Sequence, residues 1–417
     1  MSKHLNNVQD VVSWRLCLGC GACISACPEG ALTLIDVEED GLRPKVSPGK
    51  CAGCGECIRV CPGVGIETSH SDGQPIRELH AAWGPVLEVW EGCAGDPEIR
   101  FHGSSGGIAT ALSLFCLERR QMAGVLHIGP DSGNPLANTA VVSRNRAELM
   151  VRTGSRYAPA APCTGLASLT AGGRPYVFVG KPCDAAAVRK WQAVNEESRG
   201  RIGVVISIFC AGTPSTRGTK RILEKLSVRP DEVMDIRYRG RGWPGRTAVR
   251  TNGTSQGERS MSYEESWGDI LSKHTQFRCR LCPDSTGQPA DISCGDPWYR
   301  SVEPDDPGRS LVLVRTDVGR AIVREAMTAG YVQLERVGPD TLPKSQRALL
   351  RRRQHLWGRL LAFRVFRVPV PRYRGFSLLT NWRALPARDK MRSLFGTVCR
   401  IHQRKWNKPL EYESHVG

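Results

Sequence analysis

Two cysteine runs of identical spacing constrain this chain more than anything else in it. The first reads Cys17-Leu-Gly-Cys20-Gly-Ala-Cys23-Ile-Ser-Ala-Cys27-Pro28 and the second Cys51-Ala-Gly-Cys54-Gly-Glu-Cys57-Ile-Arg-Val-Cys61-Pro62. Both are C-x₂-C-x₂-C-x₃-C-P. Two-residue gaps let three thiolates wrap one face of a 4Fe–4S cubane, and the small residues between them give the chain room to turn. The fourth cysteine of each run crosses to the other cluster. The repeat therefore predicts two clusters, one held by Cys17, Cys20, Cys23 and Cys61, the other by Cys51, Cys54, Cys57 and Cys27. A zinc ribbon would use two pairs of cysteines rather than two quartets ending in proline. Ala31-Leu-Thr-Leu-Ile35 follows as a short strand.

The compartment follows from the same residues. Seventeen cysteines would suggest disulfides in a small secreted protein, but these cluster at metal-ligand gaps. Met1 to Asp10 is polar, with no apolar run after Lys3, and no stretch approaches the ~18 apolar residues of a membrane span. The expectation is a cytoplasmic protein, at most membrane-peripheral.

A two-cluster module alone would end near residue 70, so the clusters are expected to serve something downstream. From 80 to 335 strand-like and helix-like segments alternate, as in an α/β or mixed layered domain. Val86–Trp90, Gly124–Ile128, Pro175–Val179, Leu311–Val314 and Val332–Glu335 read as strands. Ile202–Phe209 is an apolar run of the fully buried kind. Helices are expected over Gly107–Arg119, Asp184–Gln192 and Val318–Ala329.

Five local patterns in this body carry chemistry. His102-Gly-Ser104-Ser105-Gly106-Gly107-Ile-Ala-Thr110 is a Gly/Ser loop opening into a helix, a natural phosphate cradle or a plain helix start. Gly154-Ser155-Arg-Tyr157 offers an aromatic that could stack on a planar ring, or is a surface turn. Gly180-Lys181-Pro-Cys183 and Phe209-Cys210-Ala-Gly each place a cysteine at a strand end, where open α/β sheets bind ligands. Arg278-Cys279-Arg-Leu-Cys282-Pro-Asp284 supplies half of a metal site, followed by Ala290-Asp291-Ile-Ser-Cys294-Gly295-Asp296. Cys183 and Cys210 are the preferred partners of Cys279 and Cys282, with Cys294 in reserve. A redox dithiol and a zinc site are the competing readings of the pair.

Taken together, these segments resemble the beta-subunit family of coenzyme F420-reducing hydrogenases and dehydrogenases over roughly residues 10 to 330. Reductases of the 7-hydroxymethyl chlorophyll type look similar over the same region. The resemblance implies a bacterial-type ferredoxin module (1–72), then a layered, mixed α+β flavin domain in two parts (80–157 and 158–337). It also implies noncovalent FAD and a third 4Fe–4S cluster close to it, on Cys183, Cys210, Cys279 and Cys282. Ser104, Ser105, Gly106, Gly107, Thr110, Ser155, Tyr157, Lys181, Asp291, Gly295 and Asp296 become candidate cofactor contacts. Lys181, His102 and Asp291 are candidate proton donors, each with a bland alternative as a structural polar group. The partners implied are a small-molecule redox substrate such as F420 and a protein that donates or accepts electrons. A non-catalytic electron-transfer subunit of a larger complex is the alternative, and a cluster-based redox sensor acting on DNA a third.

The rest is charge. Residues 344–417 hold 18 Lys and Arg against 3 Asp and Glu, so nearly all of the net +17 resides there. Leu349, Leu350, Leu356, Leu360 and Leu361 among Arg351–Arg353 and Arg359 suggest an amphipathic basic helix. Its expected partner is an anionic membrane surface or an acidic protein, ahead of a helical extension packed on the body. Nucleic acid comes last, because no binding motif accompanies the charge.

Overall fold

A computed structural model describes residues 5–68, 73–169, 173–194, 196–252 and 257–410. Its centre is an eight-stranded sheet of β1 (Glu88–Ala94), β2 (Val125–Pro130), β3 (Asn138–Ser143), β4 (Tyr176–Gly180), β5 (Ile202–Ile208), β6 (Ile292–Gly295), β7 (Ser310–Val314) and β8 (Val332–Arg336). The spatial order is β8-β1-β7-β6-β5-β4-β2-β3. β2, β4, β5 and β6 run parallel, and antiparallel strands complete both edges.

The period-2 alternation of strands explains how both faces are covered. Val177, Val204 and Ile206 point to one side, into a core shared with Ile108, Leu112 and Phe115 of helix α1 (Ile108–Glu118). Tyr176, Phe178 and Val205 point to the other, against Ala185, Val188 and Trp191 of helix α2 (Pro182–Val194). The expected apolar run thus becomes β5, with parallel neighbours on both sides. An antiparallel sheet of Val233–Arg237, Thr247–Thr251 and Gly257–Met261 sits beside the main one. Helix Thr216–Leu226 covers it through Ile222 and Leu223.

The cluster module packs directly on this body. Each cysteine loop passes through left-handed glycines, Gly19 and Gly21 in one and Gly53 and Gly55 in the other, and then enters a one-turn helix. A Cβ on Gly21 would stand 2.5 Å from Thr164 Cγ2, so only glycine lets this loop seat on the turn Pro162–Ser168. Cys20, Ala22 and Val60 belong to the same core as Leu126, Leu166 and Phe178.

The basic segment folds into helices α3 (Arg347–Gln354), α4 (Leu356–Val365) and α5 (Ala387–Gln403). The single amphipathic helix expected there is divided at His355. Its apolar stripe is also spent differently: Leu356, Leu360 and Phe363 are buried against Val11, Val12 and Leu16 of the cluster module and Ile401 of α5. Much of the leucine stripe is thus spent on internal packing, as in the helical extension ranked behind a membrane or partner, while Val365, Met391 and Phe395 stay exposed. Arg372–Arg374 even adds a strand to Gly65–Glu67. Residues 69–72 and 411–417, which the sequence reading places in the cluster module and the tail, lie outside the described residues. No described helix is long and apolar enough to cross a membrane.

Candidate functional site

The cysteines of the two loops fall into neighbouring sets. Cys61 lies among Cys17 and Cys20, and Cys23 feels all three. Burial, and then these neighbouring thiols, pushes Cys61 up to about 12. Cys57 is set instead beside Cys54 and Cys51. Cys17, Cys20 and Cys23 are buried, whereas Cys51 and Cys54 are exposed. One quartet therefore faces the body and the other faces solvent.

A third group forms inside the body. Cys183 stands in the first turn of α2, Cys210 just beyond β5, and Cys279 and Cys282 on and just past the turn Phe277–Leu281. Cys183 feels Cys210 and Cys282, and Cys210 feels Cys279 and Cys282. Burial first, then these neighbours, drives Cys210 up to about 12. Thr213 donates its backbone N–H to Cys279 Sγ at 3.3 Å. Among the described residues no three ligating side chains close on one point as a single ion demands. Cys294 is buried in the sheet core, and burial alone sets its pKa of about 12, with no thiol neighbour. It is not part of the quartet.

Arg278 tests whether anionic clusters suit these positions. Its guanidinium is fully buried, and Nε and Nη1 have no partner. Nη2 donates to Pro62 O at 3.3 Å, and the guanidinium lies 5.6 Å from the Tyr373 ring. No carboxylate pairs with it among the described residues; Tyr373, Cys282, Cys279 and Cys183 hold its charge against burial, and it also acts, less than Arg43, on Cys17. Arg43, also acting on Cys17, is buried with Nε unpartnered. Buried cations are tolerated only beside negative charge. Two cation sites facing thiol quartets fit clusters held by thiolates.

A cavity opens at the carboxyl ends of β2, β4, β5 and β6, the usual ligand position in such sheets. Its floor is the start of α1. Gly107 caps that helix at φ 75°, no side chain satisfies the first turn, and Ile108, Ala109 and Thr110 line the cavity. A Cβ on Gly107 would meet Ile99 O at 2.7 Å. Ser104 Oγ accepts the Ser155 N–H at 2.6 Å, tying the two polar loops together. Free amides at a helix start, with hydroxyls beside them, suit a phosphate.

Lys181 projects from the opposite wall. Its Nζ bonds Asp184 Oδ2 at 2.7 Å and Ala160 O at 3.4 Å. Burial opposes its charge, but Asp184 and the thiols of Cys183 and Cys210 hold its pKa above the ordinary value, so it stays a cation. Across the cavity Arg239 grips Asp296 through both Nη atoms at 2.9 and 2.7 Å. The same guanidinium lies 5.0 Å from the Tyr263 ring and 5.7 Å from Trp298, whose rings stack on each other. Trp243 Nε1 completes the carboxylate at 2.8 Å.

The structure thus brings Ser104, Ser105, Gly107, Thr110, Ser155, Tyr157, Lys181, Gly295 and Asp296 to one cavity. Gly106 is behind it, giving its N–H to Ser310 Oγ. Asp291 is off the wall and its carboxylate is fully used: it accepts from Val205 N, Arg189 Nη2 and Thr316 Oγ1. It pins β5, α2 and the start of helix Asp317–Thr328 together. His102 ends helix Pro97–His102 outside the lining, with its backbone rather than its ring near the loop. Asp184, Arg239, Tyr263, Trp298 and His127 were missed. Asp184 directly follows the Gly-Lys-Pro-Cys signal and Trp298 stands two residues past Asp296, while Arg239, Tyr263 and His127 come from segments whose sequence carries no motif.

Residues 89–167 and 173–340 match the profiles of the coenzyme F420 hydrogenase/dehydrogenase beta subunit N-terminus and C-terminus, and residues 16–65 match a 4Fe–4S dicluster domain. The chain is 24% identical over 298 residues to coenzyme F420 hydrogenase subunit beta of Methanococcus voltae, covering 67% of this chain and 95% of the relative. Against the subunit of the same name in Methanothermobacter thermautotrophicus it is 28% identical over 269 residues, 61% and 88% of the two chains. Coenzyme F420-dependent sulfite reductase of Methanocaldococcus jannaschii is 26% identical over 347 residues, 79% of this chain but 49% of that one. A chain of the F420-reducing [NiFe] hydrogenase complex from Methanosarcina barkeri shares the fold, with TM-score 0.51 at 24% identity over 64% of this chain and 89% of its own. A 4Fe–4S dicluster module in front, a mixed α/β body behind and these two adjoining matches make the chain a member of the coenzyme F420 hydrogenase/dehydrogenase beta subunit family.

Proposed function

We propose that this chain is an iron–sulfur flavoprotein that passes electrons between three 4Fe–4S clusters and an FAD serving a small organic substrate, coenzyme F420 or another reducible compound. The observation that carries this reading is a shared wall: Cys210 belongs both to the inner thiol group and to the lining of the cavity at the carboxyl ends of the strands. A flavin bound there would exchange electrons in pairs with a substrate and singly with iron–sulfur centres. Ser104, Thr110 and the amides opening α1 are placed to bind its phosphates, and Lys181 to hold a positive charge beside it. Tyr157 and Trp267, 5.0 Å apart, and the Arg239–Tyr263–Trp298 stack give flat rings a wall.

The ordering supports a relay. The solvent-facing quartet (Cys51, Cys54, Cys57 and Cys27) suits a partner protein, and the buried one (Cys17, Cys20, Cys23 and Cys61) touches the body. There Cys163 gives its N–H to Cys20 O at 3.0 Å, and its Sγ reaches Asp184 O at 3.8 Å on the cavity wall. The second reading, a non-catalytic subunit feeding a larger complex, draws on the exposure of Cys51 and Cys54 and on relatives named as subunits.

Anaerobic purification followed by iron, sulfide and flavin analysis tests the proposal. About twelve iron per chain, four for each cubane, and one FAD are expected. About eight iron and no flavin would remove the inner cluster and the flavin together, leaving a two-cluster adaptor.

A further inference from the structure

A second cavity, of about 600 Å³, lies between the carboxyl-terminal helices and the turn that carries Cys279. Arg280, Arg351, Arg352, Arg359, Arg392 and Arg400 line it, with no acidic side chain on the wall among the described residues. Arg351 has a described carboxylate near, Asp389 at 3.7 Å. Arg359 gives Nη1 to Arg280 O at 3.2 Å and Arg400 gives Nη2 to Thr397 Oγ1 at 3.3 Å, neutral partners that leave the charge uncompensated. His355 turns a buried Nε2 with no partner into the same region. Eleven of the seventeen residues on this wall lie beyond 340, where the family matches stop.

Converging arginines repel one another, and the effect is legible here. Burial, then Arg352, Arg400 and Arg280, pushes Arg359 down to about 10. Burial and neighbouring arginines likewise lower Arg400. A protein that gathers six guanidinium groups around an open space needs negative charge to fill it. The planar fork of arginine matches phosphate oxygens two at a time. Phe277 and Trp406, with rings 4.7 Å apart, add an aromatic wall. A volume of ~600 Å³ falls within the range of small-molecule sites and exceeds what a lone phosphate fills.

We propose that this cavity binds a multiply phosphorylated small molecule of nucleotide size, a nucleoside di- or triphosphate, next to the inner cysteine quartet. Its phosphates would lie among Arg359, Arg392 and Arg400 and its ring toward Trp406. Cys279 lies on the same wall, so occupancy would be felt at that quartet.

The test is calorimetric titration of the cluster-loaded full chain with pyrophosphate, ADP and ATP at low and high salt. One site per chain is expected, weakened by salt and tighter for ATP than for pyrophosphate. R359Q and R400Q should each weaken binding on the order of tenfold, since each removes charge-assisted bonds to phosphate. R392Q changes an exposed residue and provides the same readout without burdening folding; iron content and circular dichroism confirm intact protein. ATP should also shift the electron paramagnetic resonance spectrum of the reduced protein. Absence of binding by all three probes, or binding unchanged in R359Q, R400Q and R392Q alike, would overturn the proposal. So would tight binding of polyglutamate that none of the phosphates displaces, because the cavity would then be a seat for an acidic peptide.

Discussion

Replacing Arg278 by Gln should lower the reduction potentials of the two clusters nearest it. The residue is fully buried, has no carboxylate partner, and acts on Cys17 in one quartet and on Cys183, Cys279 and Cys282 in the other. Reduction adds one negative charge to a cluster, and a fixed cation favours the reduced form. At a separation of ~8 Å and an effective dielectric of about 20, one unit charge contributes about 2 kcal/mol. For a one-electron couple that corresponds to ~90 mV. Arg278→Gln should therefore move the midpoints down by this order, and Arg278→Lys, which keeps the charge, by much less. The assay is an anaerobic redox titration followed by electron paramagnetic resonance, with iron content verifying loaded clusters. Unchanged midpoints in a fully loaded Arg278→Gln protein would refute the electrostatic reasoning, and with it the placement of this arginine between two clusters.

Three further outcomes follow from the same geometry. Lys181→Met leaves Asp184 buried and unpaired, which costs roughly 3–5 kcal/mol in chemical unfolding and should also release flavin; Lys181→Met, Asp184→Asn together should recover most of the stability but not the flavin. Burial, aided by Arg152, depresses the His127 pKa from 6.5 to about 4, so the folded state favours the neutral ring. That stability is present above pH 6.5 and is lost as pH falls toward 4, with ~1.3 kcal/mol disappearing between pH 7.5 and 5.5; His127→Gln should remove this part of the slope in urea titrations at the two pH values. Phe363→Ala, in the core that α4 shares with Val11 and Leu16, should cost about 3–5 kcal/mol and expose the cluster module to proteolysis.

What could be read from the sequence was whatever short-range spacing controls. The two cysteine runs, β5 as a buried strand and the start of α1 at the Ser104–Gly107 loop all follow from residues within a dozen positions of each other. The inner cysteines were reachable because each sits at a strand end or in a C-x₂-C pair. Asp291 misled because its neighbourhood is rich in motif residues, although its carboxylate bridges Val205, Arg189 and Thr316, which are distant in sequence. The small sheet of residues 233–261 was illegible because Gly257–Met261 is largely exposed and so lacks a hydrophobic alternation. The tail was misread for a different reason. Leucine periodicity announces an apolar face but not what covers it, and Val11, Val12 and Leu16 lie more than three hundred residues away.

That long reach has a consequence for the order of events during synthesis. The floor beneath the first cysteine loop is supplied by Leu356, Leu360 and Phe363, and Leu410 N–H closes onto Ser13 O at 2.8 Å. Domains ordinarily fold as they leave the ribosome, amino-terminal first. Here the cysteine loops wait for helices translated some three hundred residues later before their apolar side is shielded from water. Iron supplied before then would meet loops without their support, so metal insertion belongs after those helices are made. Stop codons between residues 70 and 356 should therefore yield chains that keep every cysteine of the two loops yet retain clusters poorly.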